Sequence, residues 1–400
     1  MSREMKHSGI EWIGQIPKEW DLVRAKSLFA QRNSKGNESA VLLSATQKQG
    51  MMPQSLLEGV VQVNNNTDLQ TFKTVHVNDY VISLRSFQGG FEKSNYEGVC
   101  SPAYQVFYNI APIDHNYYWL LFKSYGFVDK INSLTVGIRE GKNIQYKDFA
   151  NMILAVPPLS EQQKIADYLD KVCGEVDEMI ALQEQMIEEL KAYKQSVITE
   201  AVTKGLNPHV PMRDSGIDWI EEIPEHWKVA KLKYYIKVDS GDAITNEQLG
   251  ETGLYPVYGG GEIMGYYSRY NTDDESLIIG RVGARCGCVT LTKGKSWATD
   301  NALIAKTDWQ LKYVFYLLQG ANLNRLNTSN AQPLITATKI KNVYVPILES
   351  DEQLSIASYL DTKCAEIDAL IAIKQAKIEE LKEYKKSVIY EYVTGKKEVV

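Results

Sequence analysis

Three loops of this chain combine residue types that bind nucleic acids. The stretches SLRSFQGG and VGIREGKN place Arg or Lys beside Ser, Gln or Asn, and GRVGAR adds two arginines, all on a glycine-containing backbone. Cationic side chains bind phosphates, whereas Arg, Gln and Asn hydrogen-bond to the edges of bases. With two tyrosines of a glycine-rich stretch that we expect to lie in turns, and with further polar loop residues, the candidates for nucleic-acid contact are Gln47, Lys48, Arg85, Gln88, Arg139, Lys142, Asn143, Tyr258, Tyr266, Arg281, Arg285, Ser329, Asn330 and Gln332. Charged glycine loops are also common on protein surfaces, and composition alone favours an ordinary solvated surface.

The residue patterns of common catalytic sites do not fit this sequence. The stretches nearest to the Asn/Asp-Pro-Pro-aromatic tetrad of a methyltransferase are LNPHV and AVPPL, and neither matches. Glu140 and Lys142 have the Glu-x-Lys spacing of a metal-dependent nuclease, but they lie in a glycine-broken loop with no evident acidic partner. A phosphate-binding GxxxxGK[ST] loop is absent from the sequence. We therefore expect no catalytic residue in this chain.

The cysteines do not form a metal-binding pattern. Cys286 and Cys288 make a lone CxC, without a second pair at the spacing of a zinc site. We expect neither a bound metal nor a cofactor.

Length and composition indicate a globular protein of two domains. The chain has 400 residues, of which 44% are hydrophobic and 24% charged, and single cores stop growing beyond roughly 250 to 300 residues. No run of about 18 uncharged apolar residues occurs, and the beginning MSREMKHSG does not resemble a signal peptide. We expect a cytoplasmic protein without a membrane segment.

Two internal repeats organise the sequence. The opening phrase SGIEWIGQIPKEWDLVRAKSLF (8–29) returns as SGIDWIEEIPEHWKVAKLKYYI (215–236). A closing phrase that begins EQQKIADYLD (161–205) returns with still higher similarity as EQLSIASYLD (352–396). Between opening and closing phrase lie two segments, the inserts, which we cannot align with each other. The duplicated part therefore looks like a scaffold that carries two diverged inserts.

Each closing phrase predicts a long helix. Apolar residues recur at helical spacing over about 30 residues, which would be about 45 Å long, and each phrase ends near a glycine. Such a length suits a coiled-coil strut. The stripe contains Val176, Ile180, Ile187, Leu190 and Val197 in the first copy, and Ile367, Leu370, Ile371, Ile378, Leu381, Tyr384 and Val388 in the second.

The inserts have a different character. Short runs such as AVLLSAT and SLIIGRVGARCGCVTLT are rich in strand-forming residues and are interrupted by Gly and Asn. Apolar segments such as YYWLLFKSYGFVDKI add a helix or two to each insert. The formal net charge of −6 is unevenly distributed, because the acidic excess lies in the closing phrases and the inserts are nearly neutral. A neutral insert can still present a basic face to DNA.

The order of these motifs resembles a known family. The plan GIEWIGQIPKEW, insert, VPPLSEQQKIADYLD and long helix, repeated with GIDWIEEIPEHW and DEQLSIASYLD, is similar to the specificity subunits of type I restriction-modification systems over essentially the full chain. The run from YPVYGGGEIMGYY to WATDNALIA also resembles a recurrent target-recognition domain of that family. One departure is VPILESDEQ in the second copy where the first has VPPLSEQ, which suggests a two-residue expansion.

The resemblance implies both architecture and function. The fold would be α+β, with two globular β-rich target-recognition domains joined by two long antiparallel coiled-coil helices in a pseudo-twofold repeat. The opening phrase would be a structural latch that holds each insert to its helix. The expected regions are a first recognition domain with its latch (1–155), a first long-helix region (156–207), a second recognition domain with its latch (208–346) and a second long-helix region (347–400).

The resemblance also implies partners. Each recognition domain would read one half of a bipartite, asymmetric site in double-stranded DNA. Two methylation subunits would dock on the long helices, and restriction subunits would join through the complex, so that catalysis belongs to the partners. Two alternatives stay open: a DNA-specificity or adaptor protein of another multi-subunit defence or methylation system, and a coiled-coil adaptor that does not read DNA.

Overall fold

The computed structural model describes residues 3–36, 40–47, 49–57, 69–83, 90–134, 144–272, 274–327 and 333–399. The chain divides into two compact units. Unit 1 comprises Met1–Leu182 with Lys377–Val400, and unit 2 comprises Gln183–Ala376. Each unit therefore contains one insert, its opening phrase and part of both closing phrases.

Unit 1 contains a central four-stranded antiparallel sheet and several two-stranded pairs. Its strands are β1 (Met5–His7), β2 (Gln15–Pro17), β3 (Asp21–Arg24), β4 (Phe29–Arg32), β5 (Leu43–Thr46), β6 (Gly50–Pro53), β7 (Lys73–Val75), β8 (Tyr80–Ile82), β9 (Phe91–Lys93), β10 (Gly98–Cys100), β11 (Gln105–Asn109) and β12 (Ile153–Val156). The central sheet has the order β4-β11-β8-β9, and β1-β2, β3-β12, β5-β6 and β7-β10 form antiparallel pairs. The helices of the insert are α1 (His115–Lys123), α2 (Tyr125–Ser133) and α3 (Tyr146–Ala150).

The core of unit 1 is aromatic. Helices α1 to α3 pack on the sheet through rings that are almost completely buried, and Phe29 alone contacts five other rings. The largest fully buried side chains of this unit are Trp20, Phe29, Tyr80, Phe91, Phe107, Tyr117, Tyr118, Phe122, Phe127 and Phe149. The first long helix, α4 (Leu159–Lys204), begins in this unit.

Unit 2 contains a second four-stranded antiparallel sheet and a smaller sheet. Its strands are β13 (Met212–Asp214), β14 (Glu222–Pro224), β15 (Lys228–Lys231), β16 (Ile236–Ser240), β17 (Tyr255–Gly259), β18 (Glu262–Tyr267), β19 (Leu277–Gly280), β20 (Val289–Leu291), β21 (Trp297–Ala298), β22 (Ala302–Thr307) and β23 (Tyr344–Ile347). The orders are β16-β22-β19-β20 and β18-β17-β21, and β13-β14 and β15-β23 are pairs. The helices are α5 (Leu311–Gly320), α6 (Ala337–Lys341) and the second long helix, α7 (Ser350–Val393).

The two inserts share one topology, although their sequences do not align. In each central sheet, counted in chain order, the first strand is a neighbour of the last. The last strand also pairs with the second, and the second pairs with the third. The corresponding registers place Tyr80 opposite Phe107 in unit 1 and Leu277 opposite Ala305 in unit 2. Both sheets are followed by helices and then by a short helix and a strand that returns to the opening phrase. The mixed α+β architecture with an internal repeat is thus confirmed, and the repeat extends into the inserts.

The long helices are longer than the sequence predicted. They contain 46 and 44 residues, about 69 and 66 Å at 1.5 Å per residue, instead of about 30 residues. The prediction started at Val176, but Ile165 and Leu169 are also buried and extend the apolar stripe by about three turns. The glycines that follow the helices, Gly205 and Gly395, have φ of 74° and 71°, the left-handed conformation that ends many helices.

Within each unit the two long helices pack antiparallel. In unit 1, Lys385 Nζ lies 2.7 Å from Asp177 Oδ2, and Tyr392, further along α7, contacts Tyr168, which precedes Asp177 on α4. In unit 2, Lys194 Nζ lies 2.7 Å from Asp368 Oδ2. The repeat aligns Asp177 with Asp368 and Lys194 with Lys385, so each unit forms the same ion pair with the roles of the helices exchanged.

The opening phrases are anchored to the long helices by equivalent contacts. Trp20 is buried and donates from Nε1 to Glu161 Oε2 over 3.0 Å, and Trp227 does the same to Glu352 Oε2 over 3.0 Å. In unit 1 the guanidinium of Arg3 also pairs with Glu161. Each opening phrase is therefore fixed at the first turn of a long helix.

The suspected two-residue expansion in the second copy is wrong. Val156 of β12 pairs with Asp21 of β3, and Ile347 of β23 pairs with Lys228 of β15, at positions that the repeats align. The next residue, Pro157 or Leu348, accepts from the side chain of Gln162 or Gln353 at 2.9 and 3.0 Å. The proline is displaced along the sequence, but the strand and the turn keep their lengths and the helix begins at the aligned position.

Candidate nucleic-acid interface

Three segments of unit 2 meet at one end of its central sheet. They are the tip of the β17–β18 hairpin, the connection between β19 and β20, and the segment that leads into α6. The Gly283 N–H donates to the Pro333 carbonyl over 3.2 Å, and the Ile335 N–H donates to the Arg281 carbonyl over 2.9 Å. Thr290 Oγ1 donates to the Gly261 carbonyl over 2.8 Å. Two backbone hydrogen bonds and one from a threonine hydroxyl thus hold segments that are distant in sequence beside each other.

Arg281 begins the β19–β20 connection and is half-buried. Its Nη1 makes long contacts with Ser240 Oγ (3.5 Å) and the Asp300 carbonyl (3.4 Å), and its Nε is buried without a hydrogen-bond partner among the described residues. An arginine so weakly held within the protein retains donors for another acceptor. The geometry is compatible with a contact to a base edge or a phosphate.

Arg285 lies on a 3₁₀ turn, Gly283–Arg285, and forms an ion pair with Glu262 at the start of β18. Both side chains are largely exposed, at 49% and 63%. Gly260 and Gly261, between β17 and β18, have positive φ and form the hairpin tip that brings Glu262 to Arg285. The pair adds a carboxylate to this surface that the sequence analysis did not single out. The only sequence signal for it is an acidic residue directly after GGG.

The two tyrosines predicted to lie in turns are in strands instead. Tyr258 belongs to β17, is only 8% exposed and packs with Ile278, Ala298 and neighbouring residues, and burial raises the pKa of its hydroxyl. Tyr266 belongs to β18, is half-buried and borders a groove that Lys293 and Lys295 also line. The prediction failed because only Gly260 and Gly261 turn the chain, whereas the flanking residues pair as strands.

Gln47 is exposed on the turn between β5 and β6 of unit 1. The Gln49 N–H donates to Thr46 Oγ1 over 3.0 Å, and this hydroxyl donates to the Gly50 carbonyl over 2.9 Å. Gly50 has φ of 73°, and a side chain there would collide with the Lys93 carbonyl. This hairpin has the same place in the chain, after the first strand of the sheet, as the β17–β18 hairpin of unit 2.

The remaining candidates lie outside the described residues: Lys48, Arg85, Gln88, Arg139, Lys142, Asn143, Ser329, Asn330 and Gln332. The strands and helices on either side of them are described. The Ser83 N–H donates to the Gly90 carbonyl over 2.8 Å, and the Gly280 N–H donates to the Cys288 carbonyl over 2.9 Å, so the β8–β9 and β19–β20 connections start and end alike. The segments before α3 and α6 also have corresponding positions in the order of the elements along the chain.

The sequence candidates therefore fall into three corresponding places in the two units. In unit 2 the structure brings Arg281 and Arg285 together with the hairpin tip and the end of the loop before α6, whereas Tyr266 lies towards the other end of the hairpin. In the part of the chain that the structure describes, no group of three or more His, Cys, Asp or Glu residues could hold a metal ion. None of its helices is long and apolar enough to cross a membrane.

Comparisons with known proteins agree with this organisation. The family model described as the type I restriction modification DNA specificity domain matches residues 17–192 and 224–383. The EcoprrI specificity subunit of Escherichia coli is 33% identical over 117 residues, 29% of this chain and 29% of the relative. The MjaVIII specificity subunit of Methanocaldococcus jannaschii is 26% identical over 283 residues, 64% of each chain. The alignments thus span less than two thirds of these relatives.

Two solved structures have a similar fold. A chain solved in work on complex assembly and conformational transition of the type I R-M system has a TM-score of 0.71, with 15% identity, 94% of this chain covered and 98% of that chain. The HsdS subunit from Thermoanaerobacter tengcongensis has a TM-score of 0.50, with 15% identity and coverage of 95% and 98%. At this identity the likeness establishes the fold alone.

Proposed function

The chain belongs to the family of the type I restriction modification DNA specificity domain, and we propose that it reads a bipartite, asymmetric site in double-stranded DNA. Each unit reads one half of the site. The chain carries no catalytic site of its own and works with methylation and restriction subunits that supply methyl transfer, ATP hydrolysis and cleavage.

One observation supports this proposal: the polar segments follow corresponding strands and helices along the chain in two units whose central sheets have the same strand order. The hairpin after the first strand, the connection between the second and third strands, and the segment before the short helix hold every candidate residue. A duplicated scaffold with different loops is what two different half-sites require, because the loops choose the bases and the scaffold sets their positions.

The proposed contacts in the described part of the chain are Gln47, Tyr266, Arg281 and Arg285. Tyr258 is the least suited of the original candidates, because its side chain is packed inside the unit. Lys48 is retained because it follows Gln47, and the candidates of 84–89 are retained because the β8–β9 connection corresponds to the β19–β20 connection. The candidates of 135–143 and 328–332 are retained because they precede the corresponding short helices α3 and α6, and the segment before α6 returns to Arg281.

Methylation subunits would dock on the long helices through exposed apolar side chains. Unit 1 exposes Met179 (44%), Leu182 (54%) and Tyr384 (51%), and unit 2 exposes the residues that the repeat aligns with them, Leu370 (47%), Ile373 (62%) and Tyr193 (59%). Met179 directly precedes the half-buried Ile180, and Tyr384 directly precedes Lys385, which pairs across the helices. Residues in these positions flank the seam of an antiparallel pair on one side. Each unit thus presents one apolar docking patch.

The experiment that tests DNA reading is methylation-sensitive sequencing. DNA from cells that contain this chain and its methylation subunit should carry methyl groups at one split sequence. Replacing residues 30–155 by the insert of another family member should change one half of that sequence and leave the other half unchanged. A change in both halves would contradict the assignment of one half to each unit. Footprinting that finds no protected sequence would favour the adaptor without DNA reading.

The docking patches are tested by charge substitutions on the exposed side of the helices. Leu182→Lys should weaken binding of the methylation subunit to unit 1, and Ile373→Lys should do the same in unit 2, since a Lys in an apolar contact is desolvated. Glu184→Lys, exposed on the other flank of the seam, is the matched control and should bind normally. Equal binding by all three variants, measured by calorimetry, would remove the patches from the interface.

A further inference from the structure

The helix pairs of the two units carry different side chains against one conserved tyrosine of the repeat. In unit 1, Tyr392 of α7 packs on Tyr168 of α4, with 4.6 Å between ring centroids. The repeat aligns Tyr168 with Tyr359 and Tyr392 with Ala201. In unit 2 a methyl group therefore stands where unit 1 has a phenol ring, and 39% of the Tyr359 side chain is exposed.

A groove of ≈ 590 Å³ lies beside Ala201 in unit 2. Tyr359 and Tyr193 form part of its lining, as do Glu200, Lys204 and Glu222. Tyr193 also belongs to the docking patch of unit 2, so the groove continues that patch. Two carboxylates and one ammonium group leave the lining net negative.

We propose that this groove receives an aromatic side chain of the methylation subunit, with a basic residue next to it in the partner's sequence. The inference rests on the proposed function and adds to it that the two docking sites are unequal.

The chemistry of the occupant follows from unit 1. There the chain itself covers the corresponding tyrosine with a ring, which shows that a planar aromatic group fits against this part of the helix pair. Aromatic residues bury a large area at interfaces and prefer edge or offset contacts with other rings. The adjacent basic residue complements Glu200 and Glu222. In unit 1 the position is already filled by Tyr392, so the same aromatic residue of a second methylation subunit cannot enter it.

The two methylation subunits should therefore bind with different affinities. An aromatic anchor in a fitted pocket changes affinity by about 10- to 100-fold, and unit 2 should be the tighter site by about this factor.

The test is a calorimetric titration of the full chain with its methylation subunit. The wild-type chain should show two binding steps of unequal affinity. Ala201→Tyr should make both steps weak, because the new ring fills the groove as Tyr392 does in unit 1. Tyr392→Ala is the reciprocal variant and should make both steps tight. Tyr359→Ala, on an exposed ring, should weaken only the tighter step and serves if Ala201→Tyr does not fold.

Two equal steps in the wild-type chain, or an unchanged profile in both Ala201→Tyr and Tyr359→Ala, would overturn the inference. A wild-type chain that binds no methylation subunit would refute the proposed function itself, and the inference with it.

Discussion

Neutralising Glu262 should strengthen DNA binding through Arg285. The two side chains form an ion pair at the hairpin tip of unit 2, next to the loop that begins with Arg281. For a DNA phosphate to bind the Arg285 guanidinium, it must displace the Glu262 carboxylate. Glu262→Gln keeps the size of the side chain and removes this competitor.

The exposure of the Arg285–Glu262 ion pair determines how much DNA binding should tighten. At 49% and 63% exposure, an ion pair is worth about 0.2 to 1 kcal/mol, because water and salt screen it. Its removal from the free protein should therefore tighten DNA binding by about 1.5- to 5-fold. The gain should be similar for all sequences if Arg285 binds a phosphate, since phosphates carry no sequence information.

Fluorescence anisotropy with the recognised duplex and an unrelated duplex, at several salt concentrations, measures this effect. Arg285→Ala should weaken binding to both and lower the salt slope by about one. The double variant Glu262→Gln/Arg285→Ala should bind like Arg285→Ala, because the carboxylate acts through the arginine. A loss of affinity in Glu262→Gln for the recognised duplex only would refute this reasoning, and would indicate that the carboxylate accepts a hydrogen bond from a cytosine amino group.

Three further predictions concern the interface, the anchors and a buried ion pair. Arg281→Ala should cost about 1 to 3 kcal/mol and relax preference at one base pair if the guanidinium binds a guanine edge, as measured with single-base variants of the site. Glu161→Gln should destabilise unit 1 by about 1.5 to 3 kcal/mol, since it breaks hydrogen bonds to a charged arginine; Glu352→Gln, whose partners include no arginine, should cost less, and calorimetric unfolding compares the two. Burial raises the pKa of Glu92, which pairs with Lys123, to about 7. The folded state then holds a proton that the unfolded state releases near pH 4.5, so unfolding free energy should fall by at most about 3 kcal/mol between about pH 4.5 and 7, and a Glu92→Gln/Lys123→Met double variant should lack this slope in denaturant titrations.

The duplicated opening and closing phrases could be recognised in the sequence because their residues have specific partners. Trp20 needs the carboxylate of Glu161, and Trp227 needs that of Glu352, so both members of each pair persist in the repeat. The long helices could be predicted from the spacing of their apolar residues, although the predicted helices begin too far along the chain. Ile165 and Leu169 continue the helical spacing towards the N-terminus and are buried, so the same pattern supports a beginning about three turns earlier.

The strand order that the two inserts share could not be predicted from the sequence, because the strands require only side chains that fill a core. Unit 1 fills the space with rings such as Tyr80 and Phe107, and unit 2 uses Leu277 and Ala305 at the corresponding places. Large residues on one strand can replace large residues on another as long as the total volume is kept. The topology is therefore conserved between the inserts without any similarity that an alignment detects.

The candidate site was predicted from residue type, and its spatial arrangement was not predicted. Arginine in a glycine-containing loop indicated Arg281 and Arg285, but no sequence pattern indicated that the segment before α6 returns to them or that Glu262 pairs with one of them. Those contacts depend on the order of strands in space. The same limit explains Tyr258, for which GGG suggested a turn while the strand extends up to the first glycine.

Hydrogen bonds at the base of the β8–β9 and β19–β20 connections explain how different loops can be attached to one scaffold. The β8–β9 connection is closed at its base by the hydrogen bond from Ser83 to Gly90, and the β19–β20 connection by the bond from Gly280 to Cys288. Both bonds are between backbone atoms, so they do not depend on the side chains beyond them. Between Gly280 and Cys288, Arg281 and Arg285 lie outside the hydrophobic core and can change without loss of a core contact, whereas Cys286 is buried in that core. A change at Trp20 or Trp227 would remove a buried ring and an anchor. On the proposed function, loop residues such as Arg281 and Arg285 would choose the bases while Trp20 and Trp227 stabilise the fold, so that one unit could acquire a new half-site while the other keeps its own.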